Sequence, residues 1–210
     1  MNTLGQQARV IVSLSCVLVA ERGHLSPRRR MPSAGDFGYN TSAMQSYPSV
    51  DEPTFREAMR RLATGVAVVT TRLEGKLYGI TVNAFCSVSL DPPLVLVCID
   101  QLSRARNLVA QSHVFAISIL SWQQQFVADR FAARAPLVDT AFTGVPYRIA
   151  ITGAPVLARS LAWADCQLSQ TVPAGDHAIF VGAVVAVGVE ADDEPLLFYN
   201  ARFERLRPRS

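Results

Sequence analysis

Residues Gly65 to Asp100 read GVAVVTTRLEGKLYGITVNAFCSVSLDPPLVLVCID. They contain four short segments rich in β-branched residues, separated by Glu74-Gly75-Lys76, Asn83-Ala84 and Asp91-Pro92-Pro93. Such segments bounded by turn residues are typical of β-strands. Connections this short join antiparallel neighbours, because a parallel pair needs a crossover of a dozen or more residues. The sequence therefore predicts an antiparallel barrel or sandwich and argues against a Rossmann sheet.

Helices and further strands are expected on both sides of this β-rich stretch. Asp51 is a capping acid for a surface helix of about a dozen residues that Gly65 closes, and Ser103 caps a second helix. A third helix over Ser121 to Ala133 would turn Trp122 and Phe126 inward, with Val127 as a further candidate. Further strands are predicted over His113 to Leu120, Trp163 to Val172, His177 to Val189 and Leu196 to Asn200.

The charge of the chain is concentrated before residue 44. The 210 residues are 50% hydrophobic, with a net charge of +3 and a pI of about 8.8. Residues 1–43 hold five basic and two acidic side chains, whereas residues 44–210 hold fifteen of each. A neutral domain lacks the basic footprint of a nucleic-acid-binding protein, so we expect no nucleic-acid partner.

The amino-terminal residues 1–50 are predicted to be a disordered extension or linker, and residues 51–210 to form one domain. The apolar run from Arg9 to Ala20 is shorter than the ~20 residues that span a bilayer, so no membrane association is expected. A signal peptide and a start at Met31 or Met44 are alternatives for this segment. The four cysteines, Cys16, Cys86, Cys98 and Cys166, are widely spaced, which predicts no metal site and a cytoplasmic location. The last three lie in apolar runs and are expected to be buried thiols.

Small polar side chains recur at alternate positions between Thr81 and Ser89. Thr81, Asn83, Ser87 and Ser89 would lie largely on one face, beside exposed backbone amides at the Asn83 turn. Such a surface suits a flat heteroaromatic ring with hydrogen-bonding edges, and an ordinary polar outer face of a sheet is the alternative. Ser103 and Arg104 then open a helix, where a hydroxyl and a guanidinium favour a phosphate. The glycine loops GxGxxG and GK[ST] are absent from the sequence.

A longer ordered series of segments carries a family resemblance. GVAVVTT is followed by GITVNAFCSVSLDPPLVLVCID, SRAR, HVFAISIL, DRFA, GAPVL, Gly175-Asp176-His177 with GAVV, and PLLFYNARFERL. From Phe55 to about Leu206 the chain resembles the flavin reductase family, small NAD(P)H:flavin oxidoreductases that supply two-component monooxygenases. The resemblance implies a mainly β fold with flanking helices, an antiparallel, Greek-key-like, FMN-binding split β-barrel. It also implies a homodimer, and FMN or FAD as the flavin.

The resemblance also implies roles for individual residues. His177 would approach the nicotinamide of NADH or NADPH and is the candidate catalytic residue. A lone histidine at a hairpin turn is otherwise exposed and without a role, which is the alternative. The implied flavin-binding residues are Thr81, Val82, Asn83 and Ala84 at the ribityl chain and ring edge, Ser87, Val88 and Ser89 along the isoalloxazine, and Ser103 and Arg104 at the phosphate. Phe131, Tyr199 and Arg202 are further candidates near the same cleft.

Three positions depart from the family pattern. Ala84 stands where a serine is common, Ser118 where an asparagine is common, and Ala105 where a threonine often helps to hold the phosphate. Each change is expected to weaken flavin binding and not to alter the fold. A weakly held flavin fits a reductase that releases its product.

The expected activity is reduction of flavin by NAD(P)H, with transfer of the reduced flavin to a separate monooxygenase. The chemistry resides in the two cofactors, which explains the absence of a catalytic triad or an acid–base pair. Alternatives are a flavin-storing or flavin-sensing protein without turnover, and an oxygenase or pyridoxine-phosphate-oxidase-like enzyme. The single lysine of the chain, Lys76, fits poorly with the basic phosphate site of that last class.

Overall fold

A computed structural model of the protein describes residues 48–132 and 142–206. Within these residues the helices are α1 (Glu52–Met59), α2 (Arg104–Ser112) and α3 (Gln125–Phe131), the last preceded by a 3₁₀ turn at Trp122–Gln124. The strands are β1 (Thr64–Gly65), β2 (Ala67–Leu73), β3 (Lys76–Val82), β4 (Phe85–Leu90), β5 (Pro93–Asp100), β6 (Val114–Ile119), β7 (Tyr147–Ile149), β8 (Pro155–Leu157), β9 (Ala162–Ala174), β10 (His177–Val189), β11 (Leu197–Tyr199) and β12 (Arg202–Glu204). Residues 1–47 of the predicted extension, including Cys16, lie outside the described residues.

Seven strands form the main sheet, in the order β3-β2-β6-β9-β10-β5-β4, and every neighbouring pair is antiparallel. The strands predicted between Gly65 and Asp100 are confirmed as β2 to β5. β3 and β4 lie at opposite ends of this order, yet only Asn83 and Ala84 connect them. Because three Cα–Cα steps, from the last residue of β3 to the first of β4, span about 11 Å at most, the sheet must curl until its edge strands approach each other. The result is the mainly β, split-barrel fold that was predicted.

Turn chemistry and core packing fix this curled sheet. Glu74 and Gly75 both have positive φ, +50° and +77°, as the type I′ hairpin between β2 and β3 requires. The inner face buries a cluster that includes Val69, Val97 and Phe180. A second cluster, which includes Leu120, Phe131 and Phe198, lies between α3 and the small sheet β1-β11-β12. β7 and β8 pair separately as a hairpin.

Two helices differ from the prediction. α1 ends at Met59, before Gly65, and buries none of its residues, so Phe55 is 50% exposed. Phe126 is 62% exposed, whereas Val127, Ala128 and Phe131 pack into the second cluster. The 3₁₀ turn before α3 advances three residues per turn instead of 3.6, and this shifts the phase of the inward face. Periodicity read over the whole segment therefore placed Phe126 on the wrong side.

Cys98 and Cys166 are buried, as predicted, and Cys86 is partly buried. No helix within residues 48–132 and 142–206 has the length and apolar character needed to cross a membrane.

Candidate active site

The start of α2 and the turn between β9 and β10 meet at one end of the main sheet. His177, the first residue of β10, is the register partner of Asp100, the last residue of β5. The Gln101 N–H donates to the Asp176 carbonyl at 2.9 Å, and the Ser103 N–H donates to the Asp100 carbonyl at 3.0 Å. The candidate phosphate-binding and nicotinamide-binding residues are thus joined by backbone hydrogen bonds. Ser103 and His177 are more than seventy residues apart in the sequence, so sequence patterns could not reveal that they lie close together.

Ser103 is the N-cap of α2. Its φ of −68° and ψ of 133° are extended, and its hydroxyl accepts a hydrogen bond from the Ala105 N–H at 3.2 Å. The hydroxyl hydrogen can therefore donate to an anion. The first turn of α2 has no acidic residue, and the exposed Arg104 guanidinium lies 5.5 Å from the centre of the Tyr78 ring. A helix amino terminus, a hydroxyl donor and a guanidinium together fit the phosphate of a flavin nucleotide.

His177 is buried, with only 7% of its surface exposed, which contradicts the alternative of an exposed histidine at a turn. Its Nδ1 lies 2.7 Å from Oδ1 of Asp176. A carboxylate accepts hydrogen bonds only, so Nδ1 carries the proton and Nε2 is left with a lone pair in the neutral ring. Gly175 has a φ of +63°, as in a two-residue hairpin turn of type II′. The turn thus fixes both the position and the tautomer of the imidazole.

The four residues at the β3–β4 connection are held by contacts to other elements. Thr81 Oγ1 donates to the Ala128 carbonyl of α3 at 2.7 Å. Asn83 Nδ2 donates to Thr64 Oγ1 at 3.2 Å, and the Ala84 carbonyl accepts from the Cys98 N–H at 2.9 Å. Val82 is buried. The Thr81 hydroxyl has used its hydrogen, so towards a flavin it offers lone pairs, whereas Asn83 keeps its side-chain oxygen and a second N–H.

The polar residues of β4 do not share one face, which corrects the expectation from alternation. Ser87 pairs with Val95 but Ser89 pairs with Leu94, and the register shifts at Val88. Neighbouring residues on β5 point to opposite faces, so this bulge places Ser87 and Ser89 on opposite faces of the sheet. Ser87 and Val88 are exposed, and Ser89 Oγ accepts from the Asp91 N–H at 3.2 Å. A ligand lying on one face would contact only one of the two serines.

The remaining candidates lie in two different environments. Phe131 is a core residue, 5% exposed, in edge contact with Phe142 at a centroid distance of 5.0 Å. Tyr199 and Arg202 belong to the β11–β12 hairpin, and Arg202 Nε is 2.6 Å from Oε1 of Glu204. A small depression connects this hairpin with Asn83 and is lined by Met59, Arg60, Leu62, Thr64, Asn83, Phe198, Asn200 and Ala201. The structure therefore brings the hairpin, but not the Phe131 side chain, to the surface near the β3–β4 connection.

Several residues at this site carry no signal in the sequence. Gln101, Thr64 and Tyr78 contact predicted site residues, and no sequence pattern singled out any of them. Arg106, in the first turn of α2, has a buried Nε without a hydrogen-bond partner within the described residues. These contacts join distant parts of the chain, so periodicity and motif spacing could not reveal them.

Comparison with known proteins assigns the family. The model of the flavin reductase like domain matches residues 59–207. A flavin reductase of Pseudomonas putida is 36% identical over 156 residues, which are 74% of this chain and 90% of the relative. The reductase subunit of a flavin-dependent monooxygenase from Rhodococcus jostii is 32% identical over 76% of this chain and 80% of its own length.

A solved structure extends the likeness to three dimensions. It is the NADH:FAD oxidoreductase of Streptomyces globisporus in complex with NAD and FAD fragments, 33% identical, with a TM-score of 0.70 over 75% of this chain and 94% of the other. This chain belongs to the flavin reductase family.

Proposed function

We propose that this protein reduces FMN or FAD with hydride from NADH or NADPH and releases the reduced flavin to a separate monooxygenase component. The observation that carries the proposal is the hydrogen-bonded junction between the start of α2 and the Gly175-Asp176-His177 turn. It supports a single site in which Ser103 and Arg104 bind the flavin phosphate and His177 contacts the nicotinamide. The names of the relatives support the same activity, and one of them is a monooxygenase reductase subunit.

The two bound groups supply the chemistry: a hydride, which is a proton with two electrons, passes from C4 of the nicotinamide to N5 of the flavin and leaves NAD(P)⁺ and reduced flavin. The residues of the chain bind and orient. Ser103 and Arg104 hold the flavin phosphate, and Asn83 with its neighbouring backbone contacts the ring edge. His177 presents Nε2 to the nicotinamide portion while Asp176 fixes the ring. Orientation at contact distance accelerates such a step without any acid or base from the protein.

We also infer that the protein forms a homodimer through the outer face of β4, β5 and β10. Cys86, Leu96 and Val181 are register neighbours across these three strands and are only partly buried. Val97 and Phe180, on the opposite face, are fully buried in the core. A sheet that is apolar on both faces favours a second layer. A second copy of the chain is the occupant that we propose.

A cytoplasmic location is also proposed. Cys166 is buried and Cys86 partly buried without a disulfide between them, as suits a reducing compartment.

Steady-state oxidation of NADH and NADPH, each with FMN and with FAD, tests the activity. It is measured on the full chain and on a protein that starts at Met44, because the proposed domain begins at residue 51. We expect turnover with at least one pair of substrates and equal turnover of the two proteins. Tight flavin binding without nicotinamide oxidation would instead indicate a storage or sensing protein.

A further inference from the structure

Gln101 links the two halves of the candidate active site. It is the first residue after β5 and is partly buried. Its side-chain Nε2 donates to the Gly175 carbonyl at 2.9 Å and to the His177 carbonyl at 3.2 Å. Its backbone N–H donates to the Asp176 carbonyl at 2.9 Å. One residue therefore holds all three carbonyls of the Gly175-Asp176-His177 turn.

The same residue is rigidly connected to the start of α2. The Asp100 carboxylate accepts from the Leu102 N–H at 2.7 Å, and the Asp100 carbonyl accepts from the Ser103 N–H at 3.0 Å. These bonds fix the backbone on both sides of Gln101. A displacement of the turn would thus require breaking contacts to the segment that carries Ser103.

The side chain at this position donates two hydrogen bonds from one group. Two carbonyl oxygens converge on Nε2, and the glutamine NH₂ has two hydrogens, one for each of them. Glutamate has the same shape but offers only acceptor oxygens when ionised. Methionine has a similar length and no strong donor.

We propose that Gln101 is a positioning residue that holds His177 at a fixed place relative to the amino terminus of α2. It thereby sets the separation between the nicotinamide-binding and the flavin-phosphate-binding groups. The proposal rests on the proposed reductase activity. Gln101 acts through the turn backbone and His177, so its loss impairs use of the nicotinamide nucleotide more than binding of the flavin. Misplacement of reacting groups by about 1 Å is sufficient to lower rates roughly a hundredfold.

Gln101→Glu and Gln101→Met in the full chain test the proposal, with Gln123→Glu as the matched control. Gln123 lies in the exposed part of the 3₁₀ turn before α3, so the same chemical change there leaves the junction intact. Three quantities are measured: flavin affinity without nicotinamide, by flavin fluorescence; KM and kcat for NADH; and the midpoint of thermal unfolding. We expect both Gln101 variants to lose tenfold or more in kcat/KM for NADH, with flavin affinity changed less than twofold. Gln123→Glu should match the wild type.

A double variant separates positioning from a general structural effect. If Gln101 acts through His177, adding Gln101→Met to His177→Asn should lower kcat/KM no further than His177→Asn alone. Multiplicative losses would overturn the proposal, as would kinetics of Gln101→Glu and Gln101→Met equal to those of the wild type. Equal losses of flavin affinity and of kcat/KM would also overturn it. An inactive wild type would instead refute the reductase activity itself.

Discussion

Cys166 lies in the middle of β9 with its thiol fully buried. Burial is the main cause, and the neighbouring Asp165 carboxylate a smaller one, that together raise the pKa of this thiol from 9.0 to about 12. The carboxylate is itself held by the Thr152 N–H at 2.8 Å and the Thr152 hydroxyl at 2.5 Å. The thiol therefore stays protonated in the folded protein at pH values where the unfolded chain has lost the proton.

The stability of the protein is consequently expected to fall as the pH rises above about 9. In that range the unfolded state binds fewer protons than the folded state, so the free energy of unfolding decreases by up to about 1.4 kcal/mol per pH unit from this group. The contribution is fully present below pH 9 and is lost progressively towards pH 12. Urea unfolding between pH 8 and 10.5, compared for wild type and Cys166→Ala, isolates the contribution. Parallel pH profiles of the two proteins would contradict it.

His177 is expected to govern use of the nicotinamide nucleotide. We expect His177→Asn to lower kcat/KM for NADH by about 5- to 100-fold, since leaving a polar group of the nicotinamide without its hydrogen-bond partner costs about 1–3 kcal/mol. Asp176→Asn should cause a smaller loss, because it removes the carboxylate that fixes the ring but keeps the ring. Flavin affinity should not change. These values come from steady-state kinetics and flavin titration.

The control is the same substitution at the other end of α2. His113 has a left-handed φ of +57°, which asparagine tolerates, and it lies apart from the junction. His113→Asn should therefore have wild-type kinetics. An unchanged kcat/KM for His177→Asn would show that His177 does not contribute to use of the nicotinamide nucleotide.

Residue types at the site were predictable where a local pattern exists. Ser103 before a helical run is recognisable as a cap, and Gly175-Asp176-His177 as a turn, because both depend on the adjacent chain only. The burial of His177 was not predictable, since it results from pairing with β5. Gln101 and Thr64 make their side-chain hydrogen bonds to residues distant in sequence, so a local sequence pattern could not identify them.

At the level of elements, the absence of a side chain at Gly79 lets the Phe131 ring of α3 pack closely on β3. A Cβ at Gly79 would lie 2.5 Å from Cε1 and 2.7 Å from Cδ1 of Phe131. The Phe131 ring is buried and packed against Phe142, so it has little room to yield. We expect Gly79→Ala to lower the free energy of unfolding by about 1–3 kcal/mol, as overpacking of a core does. Urea unfolding measures the change.

Gly65→Ala is the matched control, because the nearest atom to its new Cβ is Phe85 Cζ at an ordinary 3.5 Å. It should be clearly less destabilising than Gly79→Ala. Adding Phe131→Leu to Gly79→Ala should recover part of the loss, so that the two changes are not additive. Simple additivity would show that the ring is not the obstacle.

A strand or helix could be predicted from the sequence where its apolar residues keep one spacing along its whole length. The strands between Gly65 and Asp100 obey alternation and short turns, and the structure confirms them. The Val88 bulge and the 3₁₀ turn before α3 interrupt the period, and alternation or helical spacing carried past such a point assigns the wrong face. Interruptions of this kind depend on the neighbouring strand or helix, which one segment alone does not specify.

At the scale of the whole molecule, the curvature of the main sheet depends on the two-residue connection between β3 and β4. Since two residues join the two edge strands of a seven-stranded sheet, the sheet curls and directs one face of each strand inward. The other face of β4, β5 and β10 remains apolar at Leu96 and Val181. The sequence predicted the homodimer only through family resemblance, because hydrophobic runs cannot distinguish a core face from an interface.

Val181→Glu is expected to convert the proposed dimer into a monomer. A charge at the centre of an apolar interface would be desolvated without a partner, which costs several kcal/mol at roughly physiological pH. Val189→Glu places the same charge on the same strand at a position that is 89% exposed, so it should leave the dimer intact. Size-exclusion chromatography with light scattering measures the mass of each protein, and circular dichroism verifies that each is folded. A folded Val181→Glu protein with the mass of a dimer, or a monomeric wild type, would show that this face is not the interface.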